Sequence, residues 1–318
     1  MLDILAITGP IYLTILIGAA AVGFGLFQKT DMAIFGKFVL NLALPCLMFT
    51  ALSQRNIQEI INMTYLVSYA VGTLVIIGLG LLWAQRFAQL TPVASIYTAM
   101  GMSCPNSGFV GFPILLLTLP AVAPTAFALN LMIENLLIIP LLLLMAESAA
   151  HTGADRRQIV RQLARRLVTN PLILAIIAGG IAAIFHLRLP QAMSHTITLF
   201  AQASIAVSLM VIGGTLVGLR LRGMGWQVAP IVFGKLIAQP LAVFTVFWIF
   251  QFLGVAHIPN ELKQACILLA AMPSMSIYPI LAQRHGQEGV SAAALLAATL
   301  GSFVTLNVLI WLIRSGWI

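Results

Sequence analysis

Of the 318 residues, 61% are hydrophobic and 8% are charged, whereas a soluble domain carries roughly 25% charged residues. The 16 Lys and Arg against 8 Asp and Glu leave a formal net charge of +8, with too few charges to wet a soluble globule. Apolar runs of about 20 residues exclude the roughly ten-residue alternating strands of a membrane barrel, which leaves an all-α integral membrane protein.

In chain order the first apolar run follows Met1-Leu2-Asp3-Ile4 without a basic segment. It therefore reads as a retained span and not a cleaved signal. Ten spans are predicted, at about 7–27, 32–52, 65–83, 95–117, 124–145, 171–186, 197–216, 228–253, 262–281 and 292–313. Each is near the ~20 residues that cross about 30 Å of hydrocarbon. The connections after odd-numbered spans carry Lys29, Arg86, Arg156, Arg157, Arg161, Arg165, Arg166, Arg220, Arg222 and Arg284. Those after even-numbered spans, with the C-terminus, carry only Arg55, Arg188, Lys263 and Arg314. The positive-inside rule then places the odd connections in the cytoplasm and both termini outside. The same topology accounts for the basic balance, and no nucleic-acid-binding signature accompanies it.

The Arg-rich stretch after span 5 divides the chain into residues 1–148, a cytoplasmic linker at 149–168, and residues 169–318. Five spans per half force opposite membrane orientations if the halves share a fold. Span 4 contains Met102-Ser103-Cys104-Pro105 and then Gly111-Phe112-Pro113-Ile114-Leu115. Span 9 contains Met272-Pro273-Ser274-Met275 and then Ile277-Tyr278-Pro279-Ile280-Leu281. Each fourth span thus has paired prolines mixed with residues such as Gly108, Gly111 or Ser.

A proline inside a span deletes a main-chain N–H and clashes with the preceding turn. Unpaired main-chain groups cost several kcal/mol in lipid, so unwound backbone survives only when buried in protein or lining a wet cavity. Two interrupted helices at equivalent positions of inverted halves point to a transporter's substrate site. The helix starts they create suit an anion such as a carboxylate. Ser103, Asn106 and Ser107 in span 4, Ser274, Ser276 and Tyr278 in span 9, and Asn41 before Pro45 supply neutral hydrogen-bonding groups for it. The alternative is that the prolines kink packed helices and the serines bond their own carbonyls.

Glu134 is the acid deep inside a span. It reads as a proton carrier or substrate contact, or as a neutral acid bonded to a neighbouring helix. Lys235 either offsets a substrate's charge or snorkels to the interface, and Glu147 reads as interfacial. Cys46, Cys104 and Cys266 lie in apolar segments without ligand spacing and read as inert thiols. His151, His186, His195, His257 and His285 form no cluster, so neither a metal nor another cofactor is expected.

On these motifs the chain resembles the auxin efflux carrier family, whose members include plant auxin exporters and bacterial malonate-type transporters. The resemblance rests on Asn41-Leu42-Ala43-Leu44-Pro45, on the run from Pro105-Asn106-Ser107-Gly108 to Leu115, on Asn170-Pro171-Leu172, and on Met272-Pro273 with Pro279-Ile280-Leu281-Ala282. It covers essentially the whole chain. It implies ten helices in two inverted five-helix repeats, similar to sodium/proton-antiporter-like or bile-acid-symporter-like folds. Spans 1, 2, 6 and 7 would form a scaffold, and spans 3–5 and 8–10 a moving domain whose broken helices cross at their prolines. It implies that Asn106 contacts a carboxylate, that the membrane is the plasma (bacterial inner) membrane, and that a homodimer is a reasonable assembly. The linker is far shorter than in the plant carriers, and Glu134 stands where those have a glutamine.

The expected function is a secondary transporter of small organic anions, mono- or dicarboxylates such as malonate, malate or auxin-like acids, by elevator-type alternating access. Coupling to H⁺ is suggested by Glu134, and Na⁺ held by carbonyls and serines stays open. No Walker A pattern supports an ATP-driven pump. The alternatives are an intramembrane enzyme, which would need paired acids or a zinc motif, and a channel, which would need repeated filter sequences or charge rings. The chain shows none of these.

Overall fold

The computed structural model describes residues 2–53, 62–150, 161, 165, 168–187, 189–218, 225–255 and 258–317, with residues 2–8 described by backbone alone. His151, His257, Arg55, Arg156, Arg157, Arg166, Arg188, Arg220 and Arg222 lie outside the described residues. The helices in chain order are α1 (Leu2–Gly23), α2 (Asp31–Ser53), α3 (Met63–Arg86), α4 (Pro92–Ser103), α5 (Ser107–Thr118) and α6 (Ala123–Ala149). They continue with α7 (Pro171–Ile184), α8 (Gln191–Leu216), α9 (Gly225–Phe252), α10 (Asn260–Ala270), α11 (Tyr278–Gln283) and α12 (Glu288–Arg314). Among the described residues the one β-type contact is an isolated antiparallel bridge between Pro105 and Ser274.

Among the described residues six helices, α2, α3, α6, α8, α9 and α12, are 23 to 28 residues long and apolar enough to cross a membrane. At about 1.5 Å per residue each exceeds the ~30 Å hydrocarbon core. Their outward faces are apolar: Leu74, Val75 and Leu79 on α3 and Leu241 and Trp248 on α9 are all exposed. Such continuous apolar surface suits lipid and not water. Two helix starts carry the caps their sequences announce. Thr91 Oγ1 accepts from Ala94 N at 3.3 Å ahead of Pro92, and Asn170 Oδ1 accepts from Leu172 N at 3.0 Å ahead of Pro171.

The chain forms two compact units. The first comprises Met1–Asn62, Gly108–Leu131 and Arg166–Gly218. Within it α1 packs on α8 and α7 on the second half of α2. The α1–α8 contact is a backbone approach that only glycine permits: a Cβ at Gly213 would overlap the Ile15 carbonyl, and one at Gly18 the Met210 carbonyl. Phe112 stacks on Phe127 with centroids 4.7 Å apart.

The second unit comprises Met63–Ser107, Met132–Arg165 and Leu219–Ile318. In it α3 packs on α4 and α9, and α11 on α12. A Cβ at Gly72 of α3 would stand 2.9 Å from the Val243 Cα of α9. Tyr65, Tyr69, Tyr97 and Tyr278 are fully buried, so this unit hides hydroxyls as well as hydrocarbon.

Among the described residues four helical segments widen into a π-helical turn, at Val39–Ala43, Ser107–Gly111, Glu134–Ile138 and Gly234–Ala238. Each ends two residues before a proline: Pro45, Pro113, Pro140 and Pro240. The cause is steric and polar at once. Proline has no N–H to donate, and its ring clashes with the carbonyl four residues earlier. One extra residue in the turn swings that carbonyl aside. The residue just before the proline then bonds five back, as Leu44 N does to Val39 O, Ile139 N to Glu134 O, and Gln239 N to Gly234 O.

Gly213→Leu is expected to force α1 from α8. Overpacking of this kind costs about 1–3 kcal/mol, to be read as a lower melting temperature and a smaller monodisperse peak in detergent, whereas Gly9→Ala, with open space around it, leaves both unchanged.

Candidate functional site

The candidate site is built inside the second unit, where two helices stop in mid-course. After α4 ends at Ser103 the chain runs extended through Cys104, and α5 begins at Ser107. After α10 ends at Ala270, residues 271–277 turn without helix until α11 begins at Tyr278. The two unwound segments meet. Asn106 N donates to Pro273 O at 2.7 Å, and Met275 N donates to Cys104 O at 3.0 Å. Pro105 and Ser274 face each other across this antiparallel pairing. Each interruption thereby supplies partners for the main-chain groups that the other leaves bare.

Pro105 and Pro273 are the prolines that lie in the unwound segments. Pro279 stands instead in the first two positions of α11, where no N–H is required, and Pro113 lies inside α5, just after its widened turn. Gly108 and Gly111 lie in the widened turn that opens α5.

The ends of the two preceding helices are closed by side chains. Ser274 Oγ donates to Gly101 O at 2.8 Å, and Gln239 Nε2 donates to Ser103 O at 2.7 Å, covering the C-terminus of α4. Lys235 Nζ donates to Ala270 O at 2.6 Å, at the C-terminus of α10. It also donates to Gln239 Oε1, one turn further along α9. One Lys–Gln pair therefore caps both interrupted helices. A cation is well placed at a helix C-terminus, where the dipole is negative. Lys235 is fully buried, so the snorkelling alternative does not hold.

Asn106 is buried, and its Nδ2 donates to Ser276 Oγ at 2.7 Å, joining one residue from each interruption. Ser107, the next residue, donates from Oγ to Glu134 Oε1 at 2.6 Å. Tyr69 Oη donates weakly to the same oxygen at 3.4 Å. Glu134 is buried and opens the widened turn of α6. Buried carboxyls need such donors, because desolvation of an unbonded one is costly.

The structure thus brings Ser107 to Glu134, Asn106 to Ser276, and Lys235 and Ser274 to the carbonyls of the crossing. Ser103 Oγ bonds Ala99 O at 2.7 Å, within its own helix, as the kinked-helix alternative expects of a serine. Tyr278 Oη donates to Tyr97 O at 2.7 Å and holds α11 to α4. Asn41 belongs to the first unit, is exposed, and donates from Nδ2 to Lys37 O at 2.7 Å. Glu147 lies 3.9 Å from the exposed Arg284 guanidinium, a surface pair. His186 and His195 are exposed, His285 is half-buried against Tyr97, and no group of three potential metal ligands occurs among the described residues.

Gln239 and Tyr69 were not singled out in the sequence. Gln239 could have been: it lies four residues after Lys235, on the same helix face, directly before Pro240. Tyr69 offers no such signal, because its partner lies 65 residues away.

Together these features define a multi-pass helical membrane protein with two interrupted, main-chain-paired helices. The model of the membrane transport protein family matches residues 6–310, and the chain belongs to that family, the auxin efflux carriers. A protein of Rhizobium meliloti (strain 1021) named "Putative malonate transporter" is 29% identical over 283 residues, 88% of this chain and 86% of that one. "Uncharacterized transporter YfdV" of Escherichia coli (strain K12) is 26% identical over 313 residues, 96% of either chain. Its Shigella flexneri counterpart gives the same values.

Gln239→Leu is expected to leave the buried Ser103 carbonyl unpaired. That costs about 1–3 kcal/mol, measurable as a lowered melting temperature with unchanged helix content by circular dichroism.

Proposed function

We propose that this chain is a secondary transporter of small organic anions, mono- or dicarboxylates of the malonate and malate type, working by elevator-type alternating access. The observation that carries the reading is the crossing itself: two interrupted helices joined at Pro105 and Ser274, with Asn106 at the start of α5. Unwound backbone inside membrane helices is characteristic of transporter binding sites. The start of α5 favours negative charge, and the Asn106 and Ser276 amide and hydroxyl can exchange their mutual bond for bonds to a carboxylate.

In this reading the helices are ten spans in two inverted five-span repeats, with α4 and α5 as span 4 and α10 and α11 as span 9. Here α1, α2, α7 and α8, all in the first compact unit, are the scaffold, and spans 3–5 and 8–10 carry the substrate, although the first unit also holds Gly108–Leu131 of spans 4 and 5. The odd-numbered connections are cytoplasmic and both termini outside, in the plasma membrane. The name borne by the Rhizobium meliloti relative supports a dicarboxylate as the first substrate to try.

Glu134 is the coupling group in this proposal. It sits one peptide away from Asn106 through its bond to Ser107, so its proton and the substrate share one stretch of backbone. A carrier that takes up a carboxylate with a proton runs faster as the pH on the substrate side falls.

Two expectations test the reading in proteoliposomes with labelled malonate, malate and monocarboxylates. Asn106→Ala is expected to lower saturable uptake by tenfold or more, about 1.4 kcal/mol or more for a lost hydrogen bond to a charged group, with normal melting behaviour. Unchanged uptake removes Asn106 from the site. Glu134→Gln keeps the Ser107 and Tyr69 bonds in reach but cannot titrate. Wild-type uptake is expected to rise with an inward proton gradient and the variant's to be flat; a flat wild-type profile ends the proton-coupling proposal.

A further inference from the structure

At one end of the second unit, away from the crossing, the last turns of α9, the first turn of α10 and the end of α12 enclose a cavity of about 540 Å³. This is within the ~300–1,000 Å³ typical of small-molecule sites. Its position is set by chain ends: α9 stops at Phe252, α10 starts at Asn260, and α12 stops at Arg314. Two of these helices, α9 and α12, are long and apolar enough to cross a membrane, and both end here, which puts this end of the unit at the level expected for the membrane–water boundary. The rim agrees, since Trp248 and Trp317 both line the cavity and are 60% and 77% exposed. Tryptophan concentrates at that level because its ring is apolar and its N–H polar.

The lining is divided by chemistry. Phe244, the buried Phe247 and Ile313 form an apolar wall. Gln251, Asn260 and Lys263 converge from α9 and α10 as amide and ammonium groups. Among the described residues no acidic side chain lines the cavity, and Lys263 is the cation that does. The apolar wall does not end at the rim. Trp248 stacks on Phe252, with centroids 5.9 Å apart, and with Leu241 and Ile249 they continue an exposed apolar strip along the outside of α9.

We propose that this cavity is a binding site for an anionic glycerophospholipid of the surrounding bilayer. The phosphodiester meets Lys263, the glycerol hydroxyls of the headgroup meet Gln251 and Asn260, and an acyl chain leaves past Trp248 along the strip on α9. A small soluble anion would use the ammonium and amides but leave the tryptophan rim and the strip uncovered. A zwitterionic lipid would bring a second positive charge beside Lys263, against which no carboxylate stands among the described lining residues. Only a ligand with a net negative head and a long apolar tail uses every part of the lining. The bound lipid ties the ends of α9, α10 and α12 together, and so stabilises the unit that holds the crossing.

The test uses the full chain purified in neutral detergent, with phosphatidylglycerol or phosphatidylcholine added in mixed micelles. Native mass spectrometry counts retained lipid and thermal unfolding reads stabilisation. Wild type is expected to retain phosphatidylglycerol about fivefold better than phosphatidylcholine, the factor one lysine gives near an anionic lipid surface. Lys263→Gln abolishes the preference and Lys263→Arg keeps it. Trp248→Ala weakens retention of both lipids. Glycerol 3-phosphate, the headgroup chemistry without the tail, gives no thermal protection. Equal retention of the two lipids by wild type overturns the proposal, as does an undiminished preference in a folded Lys263→Gln protein. Protection by glycerol 3-phosphate equal to that by the lipid also overturns it, in favour of a soluble-anion site.

Discussion

Hydrocarbon offers main-chain N–H and C=O groups no partner, and every peculiarity of the second unit answers that constraint. Two helices stop at Ser103 and Ala270, which strips carbonyls from two C-termini and N–H groups from the residues that follow. The unwound strands satisfy part of this by pairing with each other at Pro105 and Ser274. Side chains satisfy the rest: Ser274, Gln239 and Lys235 reach Gly101, Ser103 and Ala270. The arrangement is mutual. Removing either interruption would leave the other unpaired, so the two breaks persist only as a pair.

Prolines do two different jobs along this chain. Pro105 and Pro273 hold the unwound strands, where an absent N–H costs nothing because Cys104 and Pro273 use their carbonyls instead. Pro45, Pro113, Pro140 and Pro240 stay within helical stretches and widen the turn before them. Those widened turns hold Asn41, Ser107, Glu134 and Lys235. A wide turn shifts side chains around the helix axis relative to a regular α-helix, which lets Ser107, Glu134 and Lys235, though not the exposed Asn41, turn inward to a partner. Proline thus places polar chemistry without ending the helix.

Much of this was legible in the sequence, for a physical reason. Burial in lipid demands long apolar runs, and these announce the helices directly. Paired prolines with Pro105-Asn106-Ser107 and Met272-Pro273-Ser274 announce interruptions, because proline acts through its own covalent structure whatever its surroundings. The partners were not legible. Gln239 meets a carbonyl 136 residues earlier, and Lys235 one 35 residues later. Such contacts depend on tertiary packing that no local pattern encodes. The widened turns were missed for a related reason: proline predicts a disturbed helix, but whether that becomes a kink, a break or an extra residue depends on which neighbours receive the displaced carbonyl. Lys235 is the clearest case. Its stem is long enough to snorkel, and only the nearby end of α10, with Gln239 beside it, makes the buried position the better one.

In the proposed carrier, the adjacency of Asn106 and Ser107 has a mechanistic consequence. Their side chains bond to different partners, Ser276 on the second interruption and Glu134 on α6. Yet one peptide joins them, and the peptide before it is held through Asn106 N to Pro273 O. In this proposal a carboxylate that draws Asn106 away from Ser276 shifts this short stretch, and Ser107 moves with it. The Ser107–Glu134 bond is then strained or released at the moment substrate binds. A carboxylate ion accepts hydrogen bonds and its protonated form can also donate one, so the bond that Ser107 makes depends on the state of Glu134. In the proposed cycle substrate and proton therefore act on the same few backbone dihedrals. Differential affinity of that kind is what coupling between two ligands requires, and it needs no structural change larger than the turn of one peptide.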